Sequence, residues 1–291
     1  MSPSGIQVNK LCIVLIAGVF AGVLVIYRLW PGDSSKGDTK LTEPVEEQKM
    51  AAGKEESKAA SWYTEFVDIP ADLLSGGGDD QVKEVVVQVT LNGKSLKIFT
   101  RQANPKGSET HLDVLFLHGQ AFTSKNWLDI GTLNLVARCG HRAVAVDLPG
   151  YGKTTDGVDS PSKGAFIGAL VKALKMTRPV VVSPSMSGSF SLPFLFDQPE
   201  TAEDRSRGYL PVAPVATSTY TQVYSKSKIP TMIVYGEKDE SLGATSLKNL
   251  IKLPNSKPFV VPDAGHPAYI NNPTFFHRLL YNFLKIIAAH K

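Results

Sequence analysis

From Val85 onward, short and nearly continuous apolar runs alternate with longer helix-like stretches, and this alternation restricts the chain to few folds. The apolar runs are 113–119, 142–148, 179–183, 208–214, 231–236 and 257–263. Each is short enough for a strand and apolar enough to be covered on both faces. Helix patterns fall between them at 132–139, 163–175, 187–197 and 243–252. A last stretch starting at Pro273 puts Phe276, Leu279, Leu280, Phe283, Leu284 and Ile287 on one stripe. Ahead of the series, Val85–Leu91 and Lys94–Thr100 flank Asn92-Gly93, a pair suited to a tight hairpin turn. The pattern predicts an α/β fold with a mostly parallel, doubly wound sheet and an N-terminal antiparallel hairpin. After the run 208–214 only Ala216–Pro230 precede the next strand, so little or no cap is expected.

Upstream the composition changes. Leu11–Tyr27 carries no charge, and Leu29-Trp30 extend it past Arg28. That length just spans a bilayer, and Tyr27 and Trp30 suit its interface. The reading is a tail at 1–10, an uncleaved signal-anchor helix at 11–30 reaching the lipid bilayer, a flexible stem at 31–80 and a folded domain at 81–291. Lys10 and Arg28 stand on opposite sides of the apolar run, so basic residues do not choose its orientation. The stem holds 5 Lys against 12 acidic residues, a net of −7, whereas 81–291 hold 24 Lys/Arg against 15 acidic residues, a net of +9. Within the stem, Ser61–Ile69 is apolar enough to dock on the domain. No Lys/Arg run forms a nucleic-acid face. Two cysteines, Cys12 and Cys139, exclude a disulfide framework, and Cys139 reads as a small buried apolar residue. No Cys/His spacing suggests a metal site, and "DLPGYGKT" (147–154) lacks the first glycine of a phosphate loop. No cofactor is expected.

The chemistry concentrates in "PVVVSPSMSGSF" (179–190). A strand runs into Ser183-Pro184-Ser185-Met186-Ser187-Gly188 and a helix follows, which is the setting of a nucleophile elbow. Serines replace both flanking glycines. Ser185 fits the register of the nucleophile and Ser187 is its competitor. A hydroxyl needs a base, and His266 in "DAGHPAY" lies after a strand and before the last helix. His111, His141, His277 and His290 read as surface or helix-end residues, and His118 as a structural loop histidine. Asp239 follows the strand "TMIVYG" and suits the orienting acid, with Asp263 as the alternative. The amides of Met186 and Gln120 are the expected oxyanion donors. The order Ser, Asp, His is that of the α/β hydrolases.

The ordered segments "LFLHGQAF", "AVDLPGYG", "SPSMSGSF", "IVYGEKD" and "DAGHPAY" resemble the α/β-hydrolase superfamily over roughly 110–290. More narrowly, "SPSMSGSFSLPFL", "GYLPVAPV" and "AGHPAYINNP" are similar to the family of α/β-hydrolase domain-containing protein 14, and the anchor and stem to its membrane-bound form. The resemblance implies a small, largely uncapped hydrolase of type II membrane topology, with Ser185, Asp239 and His266 as nucleophile, acid and base. The expected substrate is a small acyl ester, thioester or amide, whose acyl group passes through Ser185 to water or another acceptor. Two other readings compete: a non-catalytic interaction protein on the same scaffold, and cofactor-free peroxidation by the same three residues.

Overall fold

The computed structural model describes residues 66–75, 82–107 and 111–289, all within one compact unit, Glu56–Lys291. The proposed tail, the span at 11–30 and the greater part of the stem lie outside the described residues. Among those described, no helix is long and apolar enough to cross a membrane.

Eight strands form one sheet: β1 (Lys83–Leu91), β2 (Lys94–Ala103), β3 (Asp113–Phe116), β4 (Arg142–Val146), β5 (Val180–Pro184), β6 (Gly208–Val212), β7 (Thr231–Gly236) and β8 (Ser256–Val261). Their spatial order is β1-β2-β4-β3-β5-β6-β7-β8. β1 pairs antiparallel with β2 and β2 with β4, and every pairing from β4 through β8 is parallel. Asn92 and Gly93 at the hairpin have φ of 49° and 77°, the positive values a type I′ turn requires. Each expected strand is present. The runs 113–119, 142–148, 208–214 and 257–263 end early as strands, at Phe116, Val146, Val212 and Val261, because their last residues bend into loops at the strand ends.

The helices are α1 (Ala71–Leu74), α2 (Ser124–Asp129), α3 (Thr132–Arg138), α4 (Lys163–Ala173), α5 (Gly188–Phe196), α6 (Ala202–Arg205), α7 (Leu242–Leu250), α8 (Ala268–Asn271) and α9 (Pro273–Ala289). Strand pleating sends successive side chains to opposite faces of the sheet. Val180 and Val182 of β5 join one core with Leu133 and Val136 of α3 and Phe276, Leu280 and Phe283 of α9. Val181 between them joins a second core with Phe166 and Leu170 of α4 and Leu192 and Leu195 of α5. All five residues of β5 and of β6 are buried, so the sheet centre is covered on both sides and the strand ends are where groups emerge. All six residues of the expected α9 stripe are buried.

Between β6 and β7 the chain makes only two short 3-10 turns, Thr217–Tyr220 and Tyr224–Lys226. Tyr224 is buried and its hydroxyl donates to Thr217 O at 2.9 Å, which holds this connection flat on the domain instead of raising a cap. The docking expected of Ser61–Ile69 is seen from Phe66 on. Phe66 meets Phe259 edge-on, and Asn282 exchanges hydrogen bonds with both the N–H and the carbonyl of Val67. The packed unit therefore extends ahead of residue 81.

Candidate active site

At the carboxyl end of β5 the chain reverses sharply into α5. Ser185 sits at the corner with φ of 50°, a left-handed conformation costly for any residue with a Cβ. Gly188, one step into the helix, explains how α5 can press on the loop after β6. A Cβ there would stand 2.5 Å from Val215 O and 2.7 Å from the Pro214 side chain. Val215 in turn donates its N–H to Ser185 O at 2.9 Å.

The two serines in place of the usual glycines are both fully buried, and their hydroxyls are satisfied. Ser187 Oγ donates to Pro184 O at 2.7 Å and lies 3.0 Å from Ser183 Oγ. Ser183 Oγ lies 2.7 Å from Ser191 Oγ, which lies 3.0 Å from the Tyr209 hydroxyl. This closed chain of hydroxyls lets serine occupy positions where space is short without stranding a polar group. Ser187 therefore points into the core, and Ser185 is the serine that faces the cavity.

His266 and Asp239 reach Ser185 from the two neighbouring loops at the same end of the sheet. Ser185 Oγ is 2.7 Å from His266 Nε2, and His266 Nδ1 is 2.6 Å from Asp239 Oδ2. With a carboxylate as partner, Nδ1 carries the proton and Nε2 is left to accept from the serine hydroxyl. The Asp239 side chain is 3% exposed and that of His266 38%, so the acid is sealed beneath an imidazole that a solvent-borne group can reach. Backbone bonds join the two loops: Glu237 N to Val261 O at 3.0 Å and Lys238 N to Ala264 O at 2.8 Å. The alternative acid, Asp263, turns outward to pair with Lys238 Nζ at 3.1 Å.

The loop after β3 closes the cavity. Phe122 N–H donates to Gly119 O at 3.1 Å, and His118 Nδ1 lies 2.8 Å from the same oxygen. His118 Nε2 accepts the Leu148 N–H at 2.9 Å, which assigns the proton to Nδ1. His118 is wholly buried, and burial lowers its pKa, so the neutral ring ties the loops after β3 and β4 together. This is the structural role expected of it. With the Gly119 carbonyl held on one side, the trans peptide turns the Gln120 N–H the opposite way. A Cβ on Gly119 would lie 3.4 Å from Ser185 Cβ, so this loop stands directly against the serine. Met186, the other residue expected to donate an amide, occupies the opening turn of the helix, where N–H groups lack helical acceptors. The resulting cavity has a volume of about 250 Å³ and is lined by residues 119–122, Pro184, Ser185, His266, Pro267 and Tyr269.

Other sequence expectations need adjustment. His141 is buried, not a surface residue, and its pKa is pushed down to about 4 by burial and then by His111. His277, in the first turns of α9, lies 2.8 Å from Thr132 Oγ1 and is likewise pushed to about 4, mainly by burial. Cys139 is half-buried, and loss of solvent raises its thiol to about 11. In the segment 147–154, Asp147 is a buried anchor: its carboxylate accepts from Ser124 N at 2.8 Å, Ser124 Oγ at 2.5 Å and Lys153 N at 2.8 Å. Sequence reasoning missed Tyr269 as a cavity residue; its place three positions after His266 was the available signal. Among the described residues, no group of three or more His, Cys, Asp or Glu side chains is arranged to hold a metal ion.

No family model matches the chain. ABHD14B of Rattus norvegicus, which bears the name of a candidate protein-lysine deacylase, is 40% identical over 215 residues, 72% of this chain and 98% of that protein. The chain belongs to the family of α/β-hydrolase domain-containing protein 14. Within this family, ABHD14A of Danio rerio is 44% identical over 196 residues, covering 64% of this chain and 71% of that one. Among solved structures, a predicted CIB-like hydrolase from Thermoplasma acidophilum is 25% identical with a TM-score of 0.62, over 70% of this chain and 99% of that one. The carboxylesterase CesB of Bacillus subtilis, 14% identical with a TM-score of 0.57 over 70% and 92% of the two chains, shares the fold. The ABHD14 relatives and the archaeal structure agree on an α/β hydrolase.

Proposed function

We propose that this chain is a serine hydrolase in which Ser185 is the nucleophile, His266 the general base and Asp239 the residue that orients it. The observation that carries this reading is the unbroken Ser185–His266–Asp239 hydrogen-bond chain at 2.7 and 2.6 Å. As Ser185 Oγ attacks a carbonyl carbon, its proton passes to His266 Nε2, and the Asp239 carboxylate stabilises the imidazolium that forms. The amides of Gln120 and Met186 receive the carbonyl oxygen as it becomes negative. The tetrahedral adduct then expels the alkoxide, thiolate or amine, which takes the proton back from Nε2. The acyl group is left on Ser185, and water or another acceptor removes it by the same steps in reverse.

The substrate in this reading carries a small acyl group on an ester, thioester or amide. The cavity falls below the ~300–1,000 Å³ usual for drug-sized ligands. The name of the rat relative directs the choice toward an acylated lysine amide. Residues 11–30 anchor the domain in a bilayer, type II, and the stem presents it there; the uncharged run Leu11–Tyr27 supports this part.

A serine-directed fluorophosphonate tests the chemistry. Intact mass should report one phosphonyl adduct on the wild type and none on Ser185→Ala. Equal labelling of the variant refutes the assignment, and a folded wild type that resists the probe favours the interaction-protein reading. Alkaline carbonate extraction of membranes tests the anchor: release of the full chain into the supernatant excludes it.

A further inference from the structure

Tyr269 combines three features that nothing in the proposed chemistry uses. It lines the cavity beside Ser185 and His266, yet only 1% of its surface is exposed. Its ring is stacked on Trp127, with centroids 4.3 Å apart and planes 23° from parallel. Phe122 and Phe276 each meet it with centroids 6.0 Å away. Trp127 is itself fixed, because Nε1 donates to Leu117 O at 2.7 Å, one residue beyond which the loop of the cavity begins. Two stacked rings, one bonded to the backbone at the end of β3, form a wall that yields little.

The hydroxyl of Tyr269 is buried and makes no hydrogen bond of good geometry, although the Gly119 backbone lies near it. The oxygen has no accessible surface and the side chain as a whole almost none, so Tyr269 lies directly behind the cavity surface. Tyr269 thus fills the space into which the cavity would otherwise extend. Behind that surface lie Trp127 and Phe276, which are core.

From this geometry, and resting on the serine-hydrolase reading above, we infer that the Tyr269 ring, backed by Trp127, is the wall that sets how long an acyl group the site accepts. Short unbranched acyl groups fit against it, and chains of medium length meet it end-on. A smaller side chain at 269 opens the space now filled by the ring. An apolar void left by a large-to-small change in a packed core stays dry and takes up apolar ligands.

The test uses the full chain, p-nitrophenyl acetate and octanoate, and fluorophosphonates bearing ethyl or octyl chains. In the wild type both the acetate-to-octanoate ratio of kcat/KM and the ethyl-to-octyl ratio of labelling rates favour the short chain. Tyr269→Leu shifts each ratio toward the long chain by at least about tenfold, since single methylenes in an apolar pocket already discriminate on that scale. Tyr269→Phe keeps the wild-type ratios because the ring remains. A wild type indifferent to chain length overturns the inference, as does a Tyr269→Leu protein that labels at Ser185 with unchanged ratios. Should Tyr269→Leu not fold, the wild-type ratios and Trp127→Phe, which loosens the backing of the ring, decide the matter. Absence of any labelling at Ser185 in the wild type is a different result: it refutes the serine-hydrolase reading and removes this inference with it.

Discussion

Gly236, the last residue of β7, lies so close to Gly265 that a Cβ on it would strike the Gly265 carbonyl oxygen, with Ala264 O and C also in the way. These atoms belong to the loop that carries His266, and backbone cannot move aside as a side-chain tip can. Gly236 also accepts the Asp239 N–H at 3.0 Å, so one glycine sets the separation of the loops bearing Asp239 and His266. Gly236→Ala should displace His266 from Ser185. A misplacement of ~1 Å at reacting groups costs about 10²-fold, so kcat is expected to fall by roughly that factor with KM little changed. Wild-type kcat in a folded Gly236→Ala protein would count against this placement of the histidine loop.

Ser187 and Ser185 are two residues apart and have opposite fates in the fold. Ser187→Ala removes the donor to Pro184 O and one partner of Ser183. Losing buried hydrogen bonds of this kind costs about 0.5–1.5 kcal/mol each, which a urea melt would register. Fluorophosphonate labelling should survive in Ser187→Ala and vanish in Ser185→Ala. The reverse pattern would move the nucleophile to Ser187.

How much of this was readable beforehand follows from the length of each signal. All eight strands and the five longer helices announced themselves, because each carries an apolar run or a helical period in the sequence. Helices α1, α2, α6 and α8 have four, six, four and four residues, too short to carry a period. Ser185, His266 and Asp239 were legible from their order and from the strands they follow. The hydroxyl chain under the elbow was not, since Ser183, Ser187, Ser191 and Tyr209 converge only once β5, α5 and β6 pack. The same holds for Tyr269 on Trp127, 142 positions apart in the numbering. Solvent exposure misled for His141, between Gly140 and Arg142, and for His277, next to Arg278, because both lie against the core.

Those two histidines make stability depend on pH. Each has a folded pKa of about 4 against an ordinary 6.5. Between these values the unfolded chain binds protons that the folded chain excludes, so acid favours unfolding. Their contribution is complete above about pH 6.5 and is lost as pH falls toward 4. The loss is on the order of 2–3 kcal/mol from each. A urea midpoint measured from pH 7.5 to 4.5 should fall, and the fall should be shallower in His141→Leu. Parallel curves for the two proteins would mean that His141 titrates normally.

Ser185 itself should carry a measurable strain. Its φ of 50° belongs to the left-handed region, which costs a residue with a Cβ about 1–2 kcal/mol. Alanine keeps that penalty and glycine relieves it, against a smaller entropic loss from the freer unfolded chain. Ser185→Gly and Ser185→Ala both lack the proposed nucleophile, so both should fail to label. The glycine variant should nevertheless be the more stable by about 1 kcal/mol, a melting temperature about 2–4 °C higher in a domain of this size. Comparing two inactive variants removes the loss of the His266 hydrogen bond from the difference, because both have lost it. Equal melting temperatures would mean that the elbow relaxes out of the left-handed conformation in solution. The tight turn that aims Ser185 at His266 would then lack the backbone geometry that the chemistry requires.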